Sequence, residues 1–360
     1  MSLAQKNVQL NGVFLKNTNK NIPQNDQEAS MDLENPQKSE INPQNVSQSS
    51  ILTTMGSMES LNQNEPLDIS HQSNSVNLNS SDDIKILQSK ENNVMYSFSE
   101  EYFDEVYMNL LLEEKKFYKN INCNYMTFQK SINDKMRAIL VDWLIDVHFK
   151  FDMRKKTLFN CIYIIDAFLS KNFLDRKYLQ LLGMTALLIS CKETEILYPS
   201  FNSFLALSDY SYSLQELANM EKHVIKILDF DILAPTAEEF YAINAEFFKF
   251  SEKQRFFGEY FLDASLIDYN LLKYNQSTIA VACGYIVMKF FNLNGVHSLL
   301  KNAGDDIKQA DIKNCAKDLC FLVKNLSNSS LKSTKNKYIS NKYMNVAQLF
   351  EDNWDVYKNM

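Results

Sequence analysis

The chain of 360 residues has four histidines, six cysteines and 44 acidic residues, raw material for catalysis or metal binding, but their spacing supports neither. His71, His148, His223 and His297 stand far apart with no metal-ligand spacing, and no two cysteines form a C-x-x-C pair. A GxGxxG run, a phosphate-binding P-loop, the kinase triplets HRD and DFG, and the zinc motif HExxH are all missing. The chain is therefore expected to be no enzyme and to carry no metal and no cofactor. His148 and His223 are expected at the surface or at helix edges. What remains is recognition chemistry, which charged side chains projecting from neighbouring helix ends can supply by bonding open backbone groups of a partner.

Helices must position these groups. Only 7 Gly and 6 Pro occur, and 45% of residues are hydrophobic, which suits helical cores rather than a turn-rich sheet protein. A net charge of −7 argues against a nucleic-acid or anionic-membrane partner. The longest apolar runs, around Leu181 to Cys191 and Ile279 to Met288, are too short to span a bilayer. The opening MSLAQKNVQL carries no secretory pattern, and the cysteines read as reduced core residues of an intracellular protein.

In Met136 to Phe151, MRAILVDWLIDVHFKF, the residues Ile139, Leu140, Trp143, Leu144, Val147 and Phe151 line one helical face. Arg137, Asp142, Asp146 and Lys150 put charge elsewhere, and Ser131 with Asp134 spells a capping box for a helix starting near Ile132. Five segments follow the pattern: 135–149, 155–170, 176–192, 200–207 and 213–228. After Ala234-Pro235-Thr236 five more repeat it: 236–248, 252–267, 277–291, 297–301 and 308–326. The third of each set is apolar nearly all round and studded with small residues, so each is expected to be the enclosed hub of its unit. Ser99 to Phe117 precedes them, acidic at its start and basic at its end, as a helix dipole favours. The expectation is an all-α protein of two tandem five-helix repeats behind an N-terminal helix.

MRAILVDWL resembles the opening helix of the cyclin box in mitotic cyclins of the A and B types. YIIDAFLS, YLQLLG, MEKHVIKILDFDILAPT and SNKYMNVAQL resemble further family segments in the same order. DILAPTAEEF leans toward the A-type form. The resemblance implies two cyclin-box repeats, at 96–231 with the N-terminal helix and at 232–350, then a tail at 351–360. It also implies a regulatory subunit that binds and activates a cyclin-dependent kinase at G2/M or S phase, in nucleus and cytoplasm. Alternatives are a transcriptional-kinase or growth-phase cyclin, or a cyclin-fold scaffold without kinase activation.

By the same resemblance, Lys192 and Glu221 contact the kinase, with Glu193 and Glu195 beside them and Tyr102 and Val106 on the N-terminal helix. The family's Lys-Phe-Glu-Glu is Lys192-Glu193-Thr194-Glu195 here, without the aromatic knob. Met136, Ile139, Leu140, Trp143, Asp146, Leu179 and Gln180 match a groove that docks basic-x-Leu motifs of substrates and inhibitors. Arg137 and Asp166 match an internal ion pair.

Residues 1–95 are crowded with Asn, Gln and Ser, contain four of the six prolines, and keep no apolar period. Such a segment cannot bury enough surface to offset its chain entropy and is expected to be a disordered regulatory tail. Within it Lys90-Glu91-Asn92 resembles the KEN box through which the anaphase ubiquitin ligase marks mitotic cyclins. No R-x-x-L destruction box precedes Arg137.

Overall fold

Leu179 to Cys191 form thirteen consecutive buried residues, and the first half of the molecule is assembled around that helix. The computed structural model describes residues 102–118, 121–304 and 307–354. The expected tail at 1–95, the KEN triplet and the last residues of the chain lie outside these. Helix α1 spans Phe103–Tyr118. The first repeat comprises α2 (Asp134–Lys150), α3 (Lys155–Lys171), α4 (Leu179–Thr194), α5 (Phe201–Ala206) and α6 (Leu214–Leu228). The second comprises α7 (Ala237–Phe247), α8 (Glu252–Ser265), α9 (Gln276–Phe290), α10 (Val296–Asn302) and α11 (Gln309–Ser327). Two short helices follow, α12 (Ser333–Tyr338) and α13 (Val346–Asp352). No strand occurs among the described residues. The fold is all-α, with two tandem repeats.

Small residues decide how closely the hubs are packed. A Cβ on Gly183 of α4 would stand 2.7 Å from Leu140 Cδ1, so any larger residue there would require the Leu140 side chain of α2 to shift. In the second repeat Gly284 of α9 lies against Leu299 of α10, 3.1 Å from where its Cβ would be. Thr236 and Glu239 form a capping box at the start of α7, with the Thr236 backbone N–H donating to Glu239 Oε2 at 3.0 Å. The linker thus ends by starting α7.

Several local expectations are corrected. Helix α2 starts at Asp134, capped not by Ser131 but by Asn133, whose Oδ1 accepts from the Met136 N–H at 3.0 Å. Residues 176–178 form a 3₁₀ turn, and α4 begins only at Leu179. Asp142 is not a surface charge. It is 4% exposed and accepts from the Ser333 N–H and Oγ, both at 2.8 Å, capping α12 from across the chain. His148 is buried, its Nε2 2.9 Å from the Arg154 carbonyl, and burial with Lys337 nearby pushes its pKa down to about 3. His223 is exposed, with its ring edge-on to Phe168.

Polar contacts join the repeats. Arg137 Nε and Nη2 donate to Asp166 Oδ1 and Oδ2, both at 2.7 Å, and both side chains are almost wholly buried. Tyr125 adds its hydroxyl to Asp166 at 2.7 Å, while Arg137 Nη1 donates to the Leu266 carbonyl of the second repeat at 2.9 Å. Helix α1 is tied to the second repeat too. Buried Glu114 accepts from the Ser277 N–H at 2.8 Å and from its Oγ at 2.7 Å, capping α9 where Asn275 does not. Desolvation raises the pKa of Glu114, against the lowering effect of those Ser277 bonds.

The segment after α11 is a strap that returns to both repeats. Lys337, fully buried, donates to Asp263 of α8 at 2.6 Å, and Tyr338 donates to the same carboxylate at 2.9 Å. Lys155 at the start of α3 donates to Tyr338 Oη at 2.7 Å. Burial alone would raise Asp263, but Lys155 and Lys337 hold it well below the usual carboxylate range.

Candidate protein-docking site

The C-terminal end of α4 divides its charged residues between inside and outside. Thr194 and Glu195 turn inward to the start of α3. Glu195 Oε1 accepts from the Arg154 N–H at 2.7 Å and from the Thr157 hydroxyl, and Thr194 Oγ1 lies 2.7 Å from Thr157 Oγ1. An α-helix leaves its first N–H groups unpaired, and a carboxylate there is favoured by the dipole. Glu195, expected at the kinase contact, is half-buried and caps the start of α3.

Lys192 and Glu193 point outward and are exposed. Lys192 Nζ bonds Glu221 Oε1 of α6 at 2.5 Å, with side chains 33% and 18% exposed, so the two expected contact residues stand together. The Lys192 ammonium also lies 5.7 Å from the centroid of the Phe201 ring. Immediately beyond α4, Ile196, Leu197 and Tyr198 are 63%, 47% and 43% exposed, and Phe201 is 42% exposed. An ion pair beside Phe201, with three more large apolar side chains exposed a few residues along the chain, has the composition of a protein interface rather than of a solvated surface.

Sequence reasoning missed these apolar residues because it looked for the missing aromatic at position 193. The signal was three residues further on, in the ILY run. It also missed Phe230, which is 74% exposed just past α6. Asp229 and Phe230 both hold positive φ, 51° and 63°, which costs steric strain in residues with a Cβ. On α1, Tyr102 is 54% exposed and Val106 half-buried, beside buried Phe103 and Tyr107.

The second expected site, the stripe on α2 and the start of α4, is less open than expected. Leu140, Trp143, Leu179 and Gln180 are at most 1% exposed, Met136 is 8% exposed, and only Ile139 and Asp146 are half-buried. Leu140 is core: its methyl groups fill the space at Gly183. Asp146 accepts from Lys150 at 3.0 Å. Three buried polar atoms of the stripe are orphaned, however: Trp143 Nε1 and both amide atoms of Gln180 have no hydrogen-bond partner.

Among the described residues no cluster of His, Cys, Asp or Glu has the arrangement of a metal site. Nor is any described helix long and apolar enough to cross a membrane.

Two tandem helical repeats with an exposed ion pair at the end of α4 place the chain among all-α, two-repeat proteins. The pattern described as "Cyclin, N-terminal domain" matches residues 105–233, and that described as "Cyclin, C-terminal domain" matches 235–352. A G2/mitotic-specific cyclin-B of Hydra vulgaris is 31% identical over 248 residues, covering 69% of this chain and 67% of that one. Cyclin-B2-1 of Oryza sativa subsp. japonica is 39% identical over 194 residues, 51% of this chain and 44% of the relative, so the match spans under half the rice protein. The X-ray structure of a viral cyclin from herpesvirus saimiri shares the fold, with a TM-score of 0.54, 20% identity, and coverage of 61% of this chain and 96% of that one. This chain belongs to the cyclin family. These cellular relatives carry B-type names, so the A-type lean of the DILAPT turn finds no support among them.

Proposed function

We propose that this cyclin is a regulatory subunit that binds and activates a cyclin-dependent protein kinase at the G2/M transition. The observation that supports the reading best is the exposed Lys192–Glu221 pair beside Phe201, with Ile196, Leu197 and Tyr198 exposed just past α4. Ammonium and carboxylate bond backbone groups at the end of a kinase helix, while the neighbouring apolar side chains exclude water around them. Glu193, Phe230 and the Tyr102–Val106 face of α1 widen the contact.

Activation follows from selection. A kinase alone favours an arrangement with its αC glutamate and activation loop displaced, and a partner that binds only the competent arrangement draws the population toward it. A body tied together by Arg137–Asp166, Glu114–Ser277 and the C-terminal strap suits that role, because it presents a fixed surface. The mitotic window rests on the G2/mitotic names of the relatives. The stripe from Met136 to Gln180 serves as a second site, recruiting basic-x-Leu segments. Lys90-Glu91-Asn92 serves as the mark for the anaphase ubiquitin ligase, and the protein acts in nucleus and cytoplasm. Recovery of an active kinase with the protein purified from dividing cells tests the reading, and recovery of none would overturn it.

A further inference from the structure

Trp143 Nε1, Gln180 Nε2 and Gln180 Oε1 are two donors and one acceptor, all buried and all without a partner. Leaving such groups unpaired is costly, and native proteins keep few of them. Leu140 meets α4 at Gly183, one turn from Gln180, and Trp143 lies one turn from Leu140 along α2. Two donors and an acceptor beside apolar Met136, Ile139 and Leu179 match the backbone of an extended peptide that carries one apolar side chain. Asp146, half-buried on the same helix, supplies negative charge for a neighbouring basic residue.

The chain carries one such segment outside its described residues, Lys85-Ile86-Leu87. Elsewhere a basic residue stands two before a leucine only at Leu158, Leu179, Leu228, Leu319 and Leu326, and all five leucines are buried in helices. Chain length permits Lys85-Ile86-Leu87 to reach the stripe. The sixteen residue steps from Leu87 to Phe103 extend to about 50 Å. A fold of this size has a radius of gyration of about 18 Å, so the span covers the body.

We propose that Lys85-Ile86-Leu87 docks in cis on this cyclin's own stripe, with Leu87 against Ile139 and the edge of Met136, its backbone answering Trp143 and Gln180, and Lys85 facing Asp146. The proposal rests on the docking role given to the stripe above and adds its resident occupant. Docking in cis makes the site self-inhibited. Substrates must displace the tail, and KEN, three residues past Leu87, is held against the body while the tail is docked.

A linker of this length gives an effective concentration near 1 mM, so a cis motif with a Kd of about 0.1 mM weakens a competitor about tenfold. The test uses the full chain and a fluorescent peptide of residues 82–90, DDIKILQSK, read by anisotropy. The Lys85→Ala, Leu87→Ala double variant is expected to bind the peptide about tenfold more tightly than wild type. Trp143→Phe, which keeps the ring and deletes the indole N–H, and Gln180→Leu are expected to weaken it again in that background. Equal binding to wild type and to the double variant overturns cis docking while leaving the stripe a docking site. Binding to neither overturns the docking site itself. Masking that deepens as protein concentration rises assigns the site to a neighbouring chain's tail and also overturns the cis form.

Discussion

Lys192 Nζ and Glu221 Oε1 are 2.5 Å apart, yet this bridge joins two half-exposed side chains and does little for the fold. Surface ion pairs contribute about 0–1 kcal/mol, because water competes for both partners and both side chains lose freedom. A pair of such low structural value can rearrange around a partner's backbone groups at small cost. That separates it from the other charged pairs of the molecule.

Arg137–Asp166 is the contrasting case. Both groups are buried, bidentate and joined by Tyr125, so removing one leaves an uncompensated charge. Asp166→Ala is expected to cost about 3–5 kcal/mol in urea unfolding, and the Arg137→Met, Asp166→Leu double variant clearly less. Losses below about 1 kcal/mol in the single variant would show that the junction between repeats does not depend on the pair.

Two groups should give stability opposite slopes with pH. His148 is held neutral, with a pKa near 3 against about 6.5 unfolded, so its contribution is present above pH 6.5 and is lost as pH falls toward 3. Glu238 is pushed up to about 7, by burial first and then by Glu239, so its contribution is present below its unfolded value and is lost as pH rises through 7. Glu238→Gln is therefore expected to raise Tm at pH 7.5 relative to wild type and leave Tm at pH 4 nearly unchanged. A Tm gain of equal size at both pH values would contradict the assignment.

Asp142 holds the strap by capping α12 through Ser333. Asp142→Ala is expected to speed hydrogen exchange across 333–352 while α4 stays protected, since the hub does not depend on that cap. Uniform acceleration of both would show that strap and first repeat open as one unit.

Lys90→Ala with Glu91→Ala is expected to lengthen the protein's half-life through mitotic exit. An unchanged half-life would remove KEN from the account.

The repeats were legible because the hubs at 179–194 and 276–290 announce themselves through uninterrupted apolar sequence and small residues. The helices of the strap were not, and its segment SNKYMNVAQL came through by resemblance alone. The long-range caps were equally silent. Asp142 and Ser333 are 191 residues apart, and Glu114 and Ser277 are 163 apart, so neither pair leaves a local trace. In the candidate site, the positions of Lys192 and Glu221 came through resemblance, and their neighbours' exposure came only from the fold. Glu195 shows the limit: beside two outward charges in sequence, it points inward because α3 begins next to it.

The most direct measurement is the affinity and activity of a purified cyclin-dependent kinase with wild type and with the Lys192→Ala, Glu221→Ala double variant. The account predicts unfolding free energies within about 1 kcal/mol of each other. It also predicts kinase binding weakened at least about thirtyfold in the variant, as loss of a desolvated charged contact costs 2–5 kcal/mol, with phosphorylation of a histone-type peptide lost in step. Equal binding and activity with both proteins would contradict the placement of the docking site at the end of α4.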